Sequence, residues 1–200
     1  MKRFAIFTLL IVLAFYLHGQ DKIRPLLWFG PADDVSVYGV NISPIVYKLP
    51  ENSVVNGINI EGVGIPILLL IMPFDPAKNG STENIQNDFN VNGISISPAG
   101  LLHHGTVNGV ALTSLFSFID QVNGLQLSPL FNTSYRNNGL VISIDNSTVE
   151  LNGVQIGLFN RAETVKGVQI GIINRAVFIN GLQVGLWNVN YKRKLPIVNW

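Results

Sequence analysis

The sequence predicts an all-β repeat protein: a short β-solenoid with coils of about 14 residues, with an antiparallel meander or β-barrel as the alternative. Three observations carry this. First, Leu151 to Asn190 writes one unit three times, as LNGVQIGLFNRAET, VKGVQIGIINRAVF and INGLQVGLWNVNYK, with Gly153, Gly167 and Gly181 each 14 residues apart. Second, each copy alternates strictly, with Val154, Ile156 and Leu158 on one side and Gln155 and Gly157 on the other, the period of a half-buried strand. Third, Asn-Gly recurs at Asn56, Asn92, Asn108, Asn123, Asn138, Asn152 and Asn180. Both residues tolerate positive φ, so the pair reads as a tight turn at each unit boundary.

The amino terminus reads as an export signal over residues 1–20. Met1-Lys2-Arg3 is a charged n-region, and Phe4 to Leu17 is a short apolar h-region, with cleavage placed near Gly19 or Gln20. The alternative, an uncleaved anchor, is disfavoured because that run falls short of the roughly 20 residues a spanning helix needs. Loss of Lys2 and Arg3 would leave 11 basic residues against 12 acidic, a nearly neutral chain. The chain is 48% hydrophobic and only 12% charged, so much apolar surface must be buried. There is no cysteine, which excludes disulfides, thiolate metal sites, a cysteine nucleophile and a lipidated cysteine, and fits bacterial export better than eukaryotic secretion. Three Asn-X-Ser/Thr matches, at Asn79, Asn132 and Asn146, arise readily by chance in an asparagine-rich chain.

Residues 21–36 form a lead-in or amino-terminal cap, with Pro25 and Pro31 restricting the backbone and Trp28-Phe29 as an apolar plug. The repeat domain spans 37–190. Its marker glycines are Gly39, Gly57, Gly93, Gly109, Gly124, Gly139, Gly153, Gly167 and Gly181, and the intervals tighten from 18 and 36 through 16 and 15 to 14. The long interval holds an irregular insertion near 65–90, with Ile65 to Phe74 read as a buried strand and Asp75 to Asp88 as an exposed loop. In earlier copies the Gly-Leu pair becomes Ser-Pro, at Ser43, Ser97 and Ser128; proline cannot donate to a ladder, so this point is a corner or strand end. Residues 191–200 close the stack as a carboxyl-terminal cap.

In a solenoid, successive coils stack about 4.8 Å apart and equivalent residues lie on top of one another. Repetition then has a physical reason. Gln155, Gln169 and Gln183 are expected to form an amide ladder, as are Asn160, Asn174 and Asn188, with Ile156, Ile170 and Val184 as a dry interior column. A meander or barrel leaves the identity of those residues less well explained, and neither face of the extended unit is clean enough for a lipid-facing strand. Phe159, Ile173 and Trp187 are expected as a core layer; were they outward, they would make a partner surface.

The units GVQIGLFNRA, GVQIGIINRA and GLQVGLWNVN, followed by Lys192 to Trp200, resemble the leptospiral-type surface-repeat proteins that also occur widely in Bacteroidetes. The likeness is strong over Leu151 to Trp200 and weaker back to about Val37. It implies an exported, surface-associated repeat protein without an established activity, and supplies no catalytic residues.

No constellation names a reaction. His103-His104 lacks nearby carboxylates, and adjacent side chains on a strand point to opposite faces, so a metal site is not expected. Asp33-Asp34 reads as a solvated turn. No nucleophile elbow or phosphate-cradling loop is present. From residue 151 onward Arg161, Lys166, Arg175, Lys192, Arg193 and Lys194 face only Glu163, a cationic end read as a solvated cap. The expectation is a non-enzyme without cofactor, metal or nucleic-acid partner: an envelope scaffold or adhesion module whose ligand is a glycan, a protein or an envelope component. The candidate ladder or binding face is Gln155, Gln169, Gln183, Asn160, Asn174, Asn188, Phe159, Ile173 and Trp187. The runner-up is an outer-membrane β-barrel serving as pore or anchor, so peripheral and integral association stay open at this stage.

Overall fold

The structure is a computed structural model and describes residues 23–29, 33–46, 52–64 and 89–200. Residues 1–20, read from the sequence as an export signal, and residues 65–88 of the expected insertion lie outside the described residues. Among the described residues eleven strands follow in order: β1 (Ile23–Phe29), β2 (Ser36–Val46), β3 (Ser53–Gly64), β4 (Phe89–Ser97), β5 (Gly100–Thr113), β6 (Phe116–Leu127), β7 (Phe131–Ile142), β8 (Asp145–Ile156), β9 (Phe159–Ile170), β10 (Ile173–Val189) and β11 (Lys194–Asn199). Each pairs with the next, and every pair from β1 to β10 is parallel. This is a β-solenoid of about 8 turns, about 15 residues apart. The barrel and the meander are both overturned, because their neighbouring strands would run antiparallel.

Register explains the repetition. Gly153 lies on Gly167, Gln155 on Gln169 and Asn160 on Asn174, so equal residues meet in adjacent coils. Within β8 the buried positions are Asn146, Thr148, Leu151 and Gln155. Their spacings of 2, 3 and 4 bend the strand twice while its ladder continues, and Ser143-Ile144 and Gly157-Leu158 make the corners between strands. Ser97-Pro98, Ser128-Pro129, Gly157-Leu158 and Gly171-Ile172 therefore mark strand ends or corners, as expected, whereas Ser43-Pro44 lies inside β2 and Gly185-Leu186 inside β10. Asn-Gly is not a turn between units, however. Asn152-Gly153 sits inside β8, and eight glycines of its column, Gly39 to Gly167, hold φ between 134° and 149°. A Cβ on Gly167 would overlap the carbonyl oxygen of Gly153 in the coil beneath. The dipeptide looks like a turn because the bend needs the same backbone freedom a turn needs.

Inside and outside are also reversed for one column. Gln155, Gln169 and Gln183 are fully buried, whereas Ile156 and Ile170 are 36% and 41% exposed. The alternation was correct and its polarity inverted, because an amide stacked on identical amides is satisfied indoors. The interior changes along the rod. In β4 to β6 it is largely apolar, with Val91, Leu101, Val107, Ala111, Ile119 and Val122 buried in one cluster that Trp28 of β1 joins. In β8 to β10 each coil contributes one asparagine and one glutamine beside a smaller cluster around Leu151, Val165 and Ala176.

The carboxyl end is closed by β11, the one antiparallel strand among the described residues, which pairs Asn199 with Gln183. The Asn190 side chain accepts from the Lys192 and Arg193 backbone N–H groups at 2.9 Å, fixing the reversal, and Arg193 lies 4.2 Å over the Trp200 ring.

Candidate binding faces

Three ladders run along the rod. The inner asparagine ladder passes from Asn132 through Asn146, Asn160 and Asn174 to Asn188. The first four amides use both hydrogens: Asn160 donates to Asn174 Oδ1 at 2.7 Å and, across the corner, to the Ile170 carbonyl at 2.9 Å. The glutamine ladder links Gln183 to Gln169 and Gln169 to Gln155, each at 2.8 Å. Asn199 of β11 donates to Gln183 Oε1 at 3.0 Å, so the cap continues this ladder with a different amide. All six predicted amides are thus ladder residues, and all six have zero exposure. They hold the coils together and are beyond reach of a ligand.

The third ladder escaped the sequence reading because its residues were assigned to turns. Asn56, Asn92, Asn108, Asn123, Asn138 and Asn152 form an unbroken outer row, each after Asn56 donating to the asparagine of the preceding coil at 2.6–2.8 Å. The row is partly solvent-exposed. Asn92, Asn108 and Asn138 each spend one N–H and one acceptor site on their neighbours and keep a second of each, while the Asn123 oxygen accepts in addition from Gln121 Nε2 at 3.1 Å. The column's identity over six coils was the signal available.

Phe159 and Trp187, at 42% and 46% exposure, point outward with the half-buried Ile173, which corrects the core-layer expectation. They border a broad apolar surface. Ile156 and Ile170 form one wall of an external groove of about 770 Å³, Leu158, Ile172 and Leu186 form the other, and Gly157 and Gly171 lie on its floor. The glycines are needed on the inner side, where a Cβ on Gly171 would lie 2.6 Å from the buried Asn160 amide nitrogen.

His104 lies 3.4 Å from Asp120 of the next coil, a carboxylate distant in sequence that stacking brings close. Arg136 pairs with Glu150 at 2.7 Å and Arg161 with Asp145 at 2.5 Å, both across neighbouring coils. Asp33 and Asp34 occupy an exposed turn. Among the described residues no group of three or more metal-ligating side chains gathers. Comparisons with protein-family models, curated proteins and solved structures find no match. The reading of function therefore rests on these surfaces.

Proposed function

We propose that the protein is a non-enzymatic, exported surface repeat protein of the bacterial envelope, a scaffold or adhesion module that binds a glycan or protein through its outer asparagine ladder. The observation that carries this is the row from Asn56 to Asn152. It presents one amide per coil at about 4.8 Å intervals, held in place by its own hydrogen bonds. Amides fixed in advance lose little freedom on binding, and a polymer of repeated hydroxyl or amide groups can engage several at once. The charged start followed by an apolar run supports the export part of the proposal, as does the likeness of Leu151 to Trp200 to surface-repeat proteins.

Two measurements test it. High-salt washing of host outer membranes is expected to release the chain, with a glycan and host-protein screen then giving a ligand whose binding falls about tenfold in the Asn108→Ala, Asn123→Ala double variant. Retention of the unprocessed chain in the cytoplasm would remove the export part. A ligand held equally well by the double variant would remove the ladder from the binding role.

A further inference from the structure

Beyond that reading, we infer that the apolar face is a self-association surface whose occupant is a second copy of this chain. Counting from each marker glycine between Gly93 and Gly181, residues one, three and five places on face outward and build three columns along the rod, joined from Leu130 onward by a fourth, six places on. Counted from Gly153 these are Val154, Ile156, Leu158 and Phe159; counted from Gly167 they are Val168, Ile170, Ile172 and Ile173. Over β4 to β10 the sequence puts one charged residue into those columns, Asp145, and Arg161 neutralises it at 2.5 Å. A water-facing sheet would carry charges at such positions to prevent pairing. This one carries aliphatics.

Dimensions and period select the occupant. Five residue steps span about 17 Å and the seven coils from Gly93 to Gly181 about 34 Å, giving on the order of 600 Å² before corrugation, approaching the roughly 800 Å² per partner of a stable interface. The groove repeats once per coil, so a ridge that fills it must rise by the same step. A second copy presents such a ridge in Leu158, Ile172 and Leu186, which are 44%, 41% and 71% exposed. Related by a two-fold axis, each copy seats its ridge in the other's groove, an isologous contact that closes and forms a dry zipper of like side chains. A bilayer fits less well. The margin beside the first column is an amide row through Asn152, and Lys166 is the one basic residue to interrupt it between Asn56 and Asn180.

The test is sedimentation equilibrium of the full chain in detergent-free buffer, with Ile170→Lys and Leu186→Lys beside it. The wild type is expected to sediment as a dimer, and each variant to raise the dimer dissociation constant at least tenfold with an unchanged circular dichroism spectrum. Leu186 lies mostly outside the fold, so it decides the matter alone should Ile170→Lys not fold. A wild type that stays monomeric at all concentrations overturns the inference, as does a dimer that both variants leave intact. A monomer that floats with phosphatidylcholine–phosphatidylglycerol vesicles, and ceases to on Leu186→Lys, gives the face to a membrane instead.

Discussion

The coils of β4 to β6 and those of β8 to β10 share one backbone and have different interiors. The same column is Leu101 in β5, Ser117 in β6 and asparagine from Asn132 onward; a neighbouring one runs Ser95, Ala111, Gln126 and Val141 before settling on Gln155, Gln169 and Gln183. The apolar coils are held by burial, which depends on volume and tolerates exchange among aliphatics. The amide coils are held by directed bonds, each of which needs its neighbour to be the matching donor or acceptor. Two interiors fit one coil because the glycine column and parallel register, rather than the filling, set its shape.

A substitution that attacks the shared backbone should therefore hurt most. Gly167→Val puts a β-branched residue at φ 143° and drives its Cβ into the Gly153 carbonyl oxygen. A loss on the order of 4 kcal/mol or more is expected, read as collapse of the thermal transition followed by circular dichroism. The next effect separates the two regions. Asn160→Leu installs in β9 the residue that β5 carries in that column, yet it strands a donor of Asn146 and an acceptor of Asn174 in a buried row. About 3 kcal/mol is expected from urea unfolding, against less than about 1.5 kcal/mol for the volume-conserving Leu101→Ile in β5. Equal costs would mean that the ladder adds nothing beyond packing.

This contrast also explains what could be read from the chain. The solenoid was legible at Leu151 to Asn190, where amide chemistry demands identity and so writes a clean period. It faded toward Val37, where Val91, Val107 and Val122 need only fill space. What misled was hydropathy. Gln155 and Ile156 alternate as a strand should, but nothing in one unit says that the glutamine is inside; only its recurrence in the next two coils does. The same recurrence at Asn92, Asn108 and Asn123 passed for turn chemistry, since Asn-Gly serves a bend as well as a turn. The external groove needed three dimensions, because its floor of glycines and its two walls are contiguous only once the coils stack.

The smallest effect lies on the surface, where cross-coil pairing is ionic and exposed. Arg136 and Glu150 stack in adjacent coils at 2.7 Å with 36% and 38% of their side chains exposed. The hydrogen bond from Arg136 to Glu150, and the carboxylate's charge, raise the guanidinium pKa above its already high ordinary value. Its stabilising share is thus present wherever Glu150 is ionised and is lost only in strong alkali. Exposure and side-chain entropy leave little of it, so Arg136→Ala should cost only about 0.5 kcal/mol at low salt. That cost should vanish in high salt, where the Debye length contracts to about 3 Å at 1 M. The penalty of Asn160→Leu, carried by neutral amides out of reach of ions, should persist there, so melting both variants across a salt series distinguishes the two kinds of column by the sensitivity of each deficit to salt.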